Sequence, residues 1–167
     1  MANETLEFLR WLRVGGPWVL TSIIPDGAIR TRTFKAEHEK GLDNWLNQHS
    51  NKNIYFQVNH SGDQMLQKKA SKDQIQLAEF LHVDVDPDPN LDFEESRDLI
   101  LSKLLNYKIP PSAIIDSGGG YQAFWRLGIS SKDLNIVERC NLQLAHDLGG
   151  DHCHNICLLY TSDAADE

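Results

Sequence analysis

Residues 80–88 read Phe-Leu-His-Val-Asp-Val-Asp-Pro-Asp (FLHVDVDPD), a largely apolar run that stops abruptly in acids. A short apolar segment that ends in this way predicts a buried central strand. Residues two apart in a strand point to the same face, so Asp84 and Asp86 are expected to project together, about 7 Å apart. Two carboxylates left that close would repel each other. A bound Mg²⁺ or Mn²⁺ removes the repulsion, because such ions take carboxylate oxygens together with water and substrate phosphate. Asp84 and Asp86 are therefore the candidate catalytic pair and metal ligands, in the pattern that two-metal phosphoryl transfer uses. His82, beside them, is expected to point to the opposite face and pack there.

A rival reading starts from the same acids. Counted from Asp84, acids stand at positions 1, 3, 5, 9 and 12 (Asp84, Asp86, Asp88, Asp92, Glu95), the ligand spacing of an EF-hand. Position 6 of such a loop needs a glycine for its sharp turn, and this chain has Pro89, whose φ is fixed near −65°. The segment before the acids also reads as strand where an EF-hand needs a helix. Calcium sensing is excluded on both grounds.

Downstream of the acids, Asp92 can cap a helix that turns Phe93, Ile100, Leu101 and Leu104 inward. Residues 113–115 and 123–125 flank Gly118-Gly119-Gly120, which suggests two strands joined by a tight glycine turn. Three glycines let backbone N–H groups approach an anion closely. Ser117, Gly118, Gly119, Gly120 and Gln122 are accordingly candidate nucleotide-binding residues. Arg126 joins them as a phosphate candidate, since alternation puts it on the face of Gln122. The stretch lacks the GK[ST] of a Walker loop and the GxGxxG of a dinucleotide fold. A last helix, opened by Ser131, carries Leu134, Val137, Leu144 and Leu148 and stops at Gly149-Gly150.

Upstream, Asn3 can cap a helix bearing Leu6, Leu9 and Leu12. Residues 18–23 and 29–34 read as two strands around a Pro25-Asp26-Gly27 turn. A helix over 37–47 buries Leu42, Trp45 and Leu46, and a third strand covers 54–58. Residues 59–74 are polar and hold Lys68, Lys69 and Lys72, which are possible phosphate contacts on a loop and short helix. The mixed order of strands and helices predicts an α+β domain with a largely antiparallel sheet.

Bulk properties agree with one domain. The chain has 167 residues, 41% of them hydrophobic. No apolar run approaches the roughly 18 residues of a membrane span. The amino terminus lacks the basic start and apolar core of a signal peptide. Three cysteines without regular spacing fit a reduced cytoplasm. The net charge of −8 is uneven: residues 1–83 carry ten Lys/Arg against nine Asp/Glu, and residues 84–156 carry six against twelve. Acid is thus concentrated around one segment rather than spread over the surface.

Residues 157–167 (CLLYTSDAADE) back-translate to a transposon-end sequencing adapter read in frame. The expectation is a native domain of residues 1–156, incomplete at its carboxyl end, with 157–167 as a non-native tail. Removing its three acids takes the formal charge from −8 to −5. His152-Cys153-His154 reads as a loop rather than a zinc site, because adjacent residues do not converge easily on one tetrahedral ion.

Taken together, HVDVDPD (82–88), DSGGGYQAFWRL (116–127) and LGGDHCHNI (148–156) resemble the archaeo-eukaryotic primase superfamily. The likeness is greatest to primase–polymerase domains of phages, plasmids and integrated elements, and it extends to PWVLTSIIPDG (17–27), TRTF (31–34) and NIYFQVN (53–59). It implies a primase–polymerase catalytic core with an RRM-like palm flanked by helices. The implied activity is template-dependent nucleotidyl transfer in DNA replication, a DNA primase or polymerase. It implies Mg²⁺ or Mn²⁺, an NTP or dNTP and a single-stranded DNA template as partners, with a helicase domain beyond the carboxyl end.

Two departures stand out. The second motif commonly carries His where this chain has Gln122. The third motif, an Asp after an apolar residue, is expected at the position following Ile156, so the chain as it stands is expected to be inactive. Asp151 is the remaining nearby candidate and is not favoured. Two other functions stay open on the residues alone: a non-catalytic nucleic-acid-binding or replication accessory module, and a metal-dependent phosphodiesterase using the same acids.

Overall fold

The computed structural model describes residues 2–23, 28–63, 65–151 and 159–161. In chain order these give α1 (Ala2–Leu12), β1 (Trp18–Ile23), β2 (Arg30–Phe34), α2 (Glu39–Gln48), β3 (Asn53–Gln57), β4 (Ala78–Val85), α3 (Phe93–Leu105), β5 (Ala113–Asp116), β6 (Tyr121–Ser131), α4 (Leu134–Leu148) and β7 (Leu159–Thr161). Short 3₁₀ turns at Ala36–His38 and Lys72–Gln74 precede α2 and β4. The fold is α+β and every strand pairing is antiparallel, as expected. The strands divide between two sheets, ordered β2-β1-β3-β7 and β4-β6-β5. Strand β7, which pairs with β3, falls inside the 157–167 segment read as a non-native tail. The turn expected at 25–27 and the 152–154 triplet lie outside the described residues.

Strand β4 shows why its sequence is apolar without strict alternation. Phe80 joins Phe124, Trp18, Leu20, Phe34 and Phe56 in a core that α1 and α2 complete. Val83 and Val85 face the other way, against Ala123, Trp125 and the leucines of α3 and α4. A sheet covered on both faces buries both sets of side chains, so its strands read as continuous apolar runs. Helix α4 also covers the open edge of β4. The side-chain oxygen of Asn141 accepts the His82 backbone N–H at 3.0 Å, and the Asp151 N–H donates to the Asp84 carbonyl at 2.9 Å. An edge that would otherwise expose unpaired backbone groups is thereby closed.

Local signals were read correctly where a cap or a stripe dictates them. Asp92 accepts the N–H groups of Glu94 and Glu95 and starts α3, while Gly149 ends α4 in the left-handed region at φ 76°. Three expectations change. Phe93 is 49% exposed rather than inward; it lies 5.4 Å from the Arg97 guanidinium, so its ring serves as a platform for a cation. Helix α4 is capped by Asp133, which accepts from Ile136, and Ser131 instead ends β6. Asn3 stands inside α1 rather than before it.

Candidate active site

Asp84 occupies the penultimate position of β4, and Asp86 follows directly after the strand's last residue. Burial is the main cause that pushes the Asp84 carboxyl up to about 7, with the charges of Asp86 and then Asp151 adding to it. A side-chain hydrogen bond from Gln122 and a backbone one from Val85 work in the opposite direction. Carboxylates held this close resist joint ionisation, and a cation placed between them relieves the conflict. The donor set fits Mg²⁺ or Mn²⁺, which bind through one or two carboxylates and complete their shells with water and phosphate. Among the described residues no group of three or more His, Cys, Asp or Glu is arranged to hold a metal ion. The acids that act on one another here are Asp84 and Asp86, with Asp151 as a further electrostatic neighbour. The position after Ile156, where a third carboxylate was expected, lies outside the described residues.

Gln122 is the register partner of Asp84 across the β4–β6 pair. It is 2% exposed, and its side-chain oxygen is buried without a hydrogen-bond partner among the described residues. An amide that donates to a carboxylate while keeping an open acceptor can orient the acid and still engage a ligand. His82 also shares this face, contrary to expectation, because residues 82 and 84 are two apart in one strand. Burial pushes its imidazole down to about 3, so it is neutral and serves the core beside Asn141.

The glycine turn is built differently from an open phosphate nest. Asp116 accepts the Gly118 N–H at 2.8 Å and Ser117 accepts the Gly120 N–H at 3.0 Å, so those donors are engaged within the turn. Gly118 takes the left-handed φ of 83° that the turn requires. Gly120 has another reason. A Cβ there would lie 2.3 Å from the Val85 carbonyl and 3.0 Å from an Asp86 carboxylate oxygen. The third glycine thus lets the turn press against the strand end that carries the acids.

Arg97 was missed in the sequence. It reaches from α3 to the turn, donating to Asp116 at 2.7 Å, to the Gly118 carbonyl at 3.0 Å and to the Tyr121 hydroxyl at 3.3 Å. The Tyr121 ring also packs under its guanidinium at 4.8 Å. Phe93 and Arg97 form an aromatic–cation pair at helical spacing, but the partners that give Arg97 its role come from another part of the chain. Arg97→Met is expected to lower the melting temperature by roughly 3 °C, and Arg97→Lys to recover only part of it, because an ammonium cannot reproduce the forked contacts. A melt indistinguishable from the parent's would show that the brace is idle.

The remaining cationic candidates are not brought to the acids. Arg126 pairs in register with Phe80, four residue pairs or about 13 Å along the strand from Asp84. Its guanidinium lies 4.9 Å from the Trp11 ring and 4.7 Å from the Phe80 ring and donates to the Trp11 carbonyl. Lys72 binds Glu138 at 2.5 Å and Asn135 at 3.2 Å near the start of α4. At 1.5 Å per residue that is roughly 20 Å from the end of α4 that meets Asp84. Lys68 and Lys69 are exposed on the segment before it.

No protein-family model matches the sequence, and no curated protein was found similar to it. The architecture does match a solved structure, the AEP domain of the primase–polymerase from cyanophage S-2L, with a TM-score of 0.68. The fold is that of this cyanophage AEP domain. Sequence identity is 17%, and the match covers 96% of this chain and 80% of the cyanophage chain. The two chains share a fold while most side chains differ, and the site rests on the residues of this chain. No helix among the described residues is long and apolar enough to cross a membrane.

Proposed function

We propose that this domain carries out template-dependent nucleotidyl transfer in DNA replication, as a DNA primase or polymerase of a phage, plasmid or integrated element. The observation that carries the reading is the acid pair on a primase–polymerase fold, with Asp84 held near neutrality by burial and by Asp86. Asp84 and Asp86 would hold Mg²⁺ or Mn²⁺, which when bound supplies the charge that activates a 3′-hydroxyl and stabilises leaving pyrophosphate. Gln122 orients the Asp84 carboxylate and offers its free amide oxygen to the incoming nucleotide. The turn at 117–120 positions Asp86 through Gly120. The partners are an NTP or dNTP and a single-stranded DNA template, with a helicase acting alongside.

Binding of a nucleoside triphosphate in the presence of Mn²⁺ is the direct test. Asp84→Ala should lower the Mn²⁺-dependent part by at least about a hundredfold, because losing even an outer-shell partner of a metal ligand costs about 10–100-fold. Triphosphate binding that needs no Mn²⁺, or that survives the substitution, removes the basis of the assignment.

A further inference from the structure

Strand β5 is the last strand of the sheet β4-β6-β5, so one of its edges has no strand beside it. Among the described residues no backbone hydrogen bond falls on that edge. The hairpin decides which groups it exposes. The Ser117 N–H donates to the Gly120 carbonyl at 3.1 Å, which makes that pair a hydrogen-bonded one. Antiparallel pairs alternate, so Ala113 and Ile115 direct their backbone groups at β6, while Ile114 and Asp116 direct theirs away. Sheet edges are usually blunted by Lys, Pro or a protruding charge. Strand β5 (AIID) has neither Lys nor Pro, and its one charge, Asp116, is held by Arg97 at 2.7 Å.

An apolar cleft of about 480 Å³ opens against this edge. Successive residues of a strand point to opposite faces. A cleft that touches both Ile114 and Ile115 therefore runs along the side of β5 rather than over one face. Phe8 of α1 and Ile54 of β3 also line it, and all four of these residues are only half-buried. Leu20 and Phe56, buried in the core, close its inner end. Its volume is that of a ligand site. With α1 and β3 on its other walls, it has room for one extended segment and not for a second sheet. Lys52 is in the lining and forms no ion pair among the described residues.

We infer that the β5 edge and its cleft receive an extended peptide from a protein partner, which adds a strand to the sheet. Its backbone bonds to Ile114 and Asp116, its alternate apolar side chains enter the cleft beside Phe8 and Ile54, and a carboxylate meets Lys52. The open backbone decides for a peptide over an apolar small molecule or a nucleic acid, because another extended backbone matches the spacing of its donors and acceptors. In this mode main-chain bonds give affinity and pockets for alternate side chains give specificity. The inference stands apart from the nucleotidyl-transfer reading and does not involve Asp84 or Asp86.

The probe is a fluorescein-labelled, amidated heptapeptide of alternating Val and Thr with Asp at its carboxyl end, followed by anisotropy as this chain is added. Saturable binding is expected, and no saturation below about 1 mM overturns the proposal. An extended peptide has two backbone edges, and only one can face β5. Of two probes N-methylated on alternate amides, one for each edge, one should bind at least about tenfold more weakly and the other within about twofold of the parent peptide. Equal binding of the two overturns the proposal whatever any variant does. Ile114→Pro removes an outward N–H without touching the β6 ladder and should weaken binding about tenfold, whereas Ile114→Ala keeps the N–H and should weaken it less. Lys52→Gln should cost about threefold with this probe and nothing with one ending in Asn; the same loss with both overturns the placement. Sedimentation velocity without peptide tests the rival occupant. A dimer that Ile114→Pro dissociates would give the edge to a second copy of this chain and overturn the peptide, as would uptake of an apolar dye by a chain that ignores the peptide.

Discussion

Gly120→Ala is expected to destabilise the domain by about 3 kcal/mol, at the upper end of what a forced methyl costs in a packed site. The added Cβ would meet the Val85 carbonyl at 2.3 Å and an Asp86 carboxylate oxygen at 3.0 Å. Neither neighbour is the free end of a long side chain. Val85 pairs with Tyr121 at the close of the β4–β6 ladder, so its carbonyl moves only if the strand end moves. Relief therefore comes by swinging the turn away from β4, and that displaces Asp86. Urea unfolding should show the loss of stability, and Mn²⁺ titration a weakened site in the molecules that remain folded. Gly128→Ala, also on β6 but with open space around the added atom, should stay within about 0.5 kcal/mol of the parent. Equal stability of the two variants would show that the turn does not bear on the acids.

That contrast marks what could be read in advance. The acid pair was legible because it follows from local rules: a strand, a period of two, and the cost of unpaired like charges. The helix stripes of Leu6, Leu9 and Leu12 and of Leu42, Trp45 and Leu46 were legible for the same kind of reason, and all six are buried. The glycine turn was legible as a turn, but not as a close approach, because the atom that excludes a Cβ at residue 120 belongs to residue 85. Arg97 and Arg126 show the same limit from the side of charge. Both looked like ordinary surface cations or phosphate ligands until tertiary contacts assigned one to Asp116 and the other to Trp11 and Phe80. The division into two sheets was also out of reach. Strand β4 follows β3 in sequence but pairs with β6, a partner about 40 residues further on, and nothing local announces that choice.

Asp151 joins the two halves of the site in a similar way. It was the remaining nearby candidate for the third carboxylate and was not favoured, yet its N–H closes the edge of β4 at Asp84 and its charge adds to the pressure on that carboxyl. Gly150 makes the approach feasible, for a Cβ there would sit 2.4 Å from Val83 and 2.5 Å from the Asp84 carbonyl. Two glycines, 120 and 150, thus flank the acids from opposite sides, one arriving from the turn and one from the end of α4.

With divalent metal removed by chelation, the domain is expected to lose stability as the pH rises above about 6.5. The Asp84 carboxyl, pushed up to about 7 in the fold, returns to the usual value of 3.8 when the chain unfolds. Between those values the folded chain holds a proton that the unfolded chain has released, so protons favour folding. This contribution is fully present below about pH 4 and is lost as the pH climbs through 7. Asp88, Asp116 and Asp147, each held below the usual carboxylate value by hydrogen bonds, act with the opposite sign at lower pH; His82, pushed by burial down to about 3, and His60, also lowered by burial, act with the opposite sign up to their ordinary value of 6.5 and leave Asp84 the range above it. Asp84→Asn keeps the shape and drops the charge; it should remove the fall in melting temperature above about pH 6.5 and leave the rise below it that His82 supplies. Metal binding runs the other way. A carboxylate must be deprotonated to ligate, so Mn²⁺ affinity should rise across the same range and binding near pH 6 should release close to one proton. Calorimetric titration in buffers of different ionisation enthalpy measures that proton directly. Mn²⁺ binding with no proton released, or a fall in stability above about pH 6.5 that persists in Asp84→Asn, would place both the titration and the metal elsewhere than Asp84.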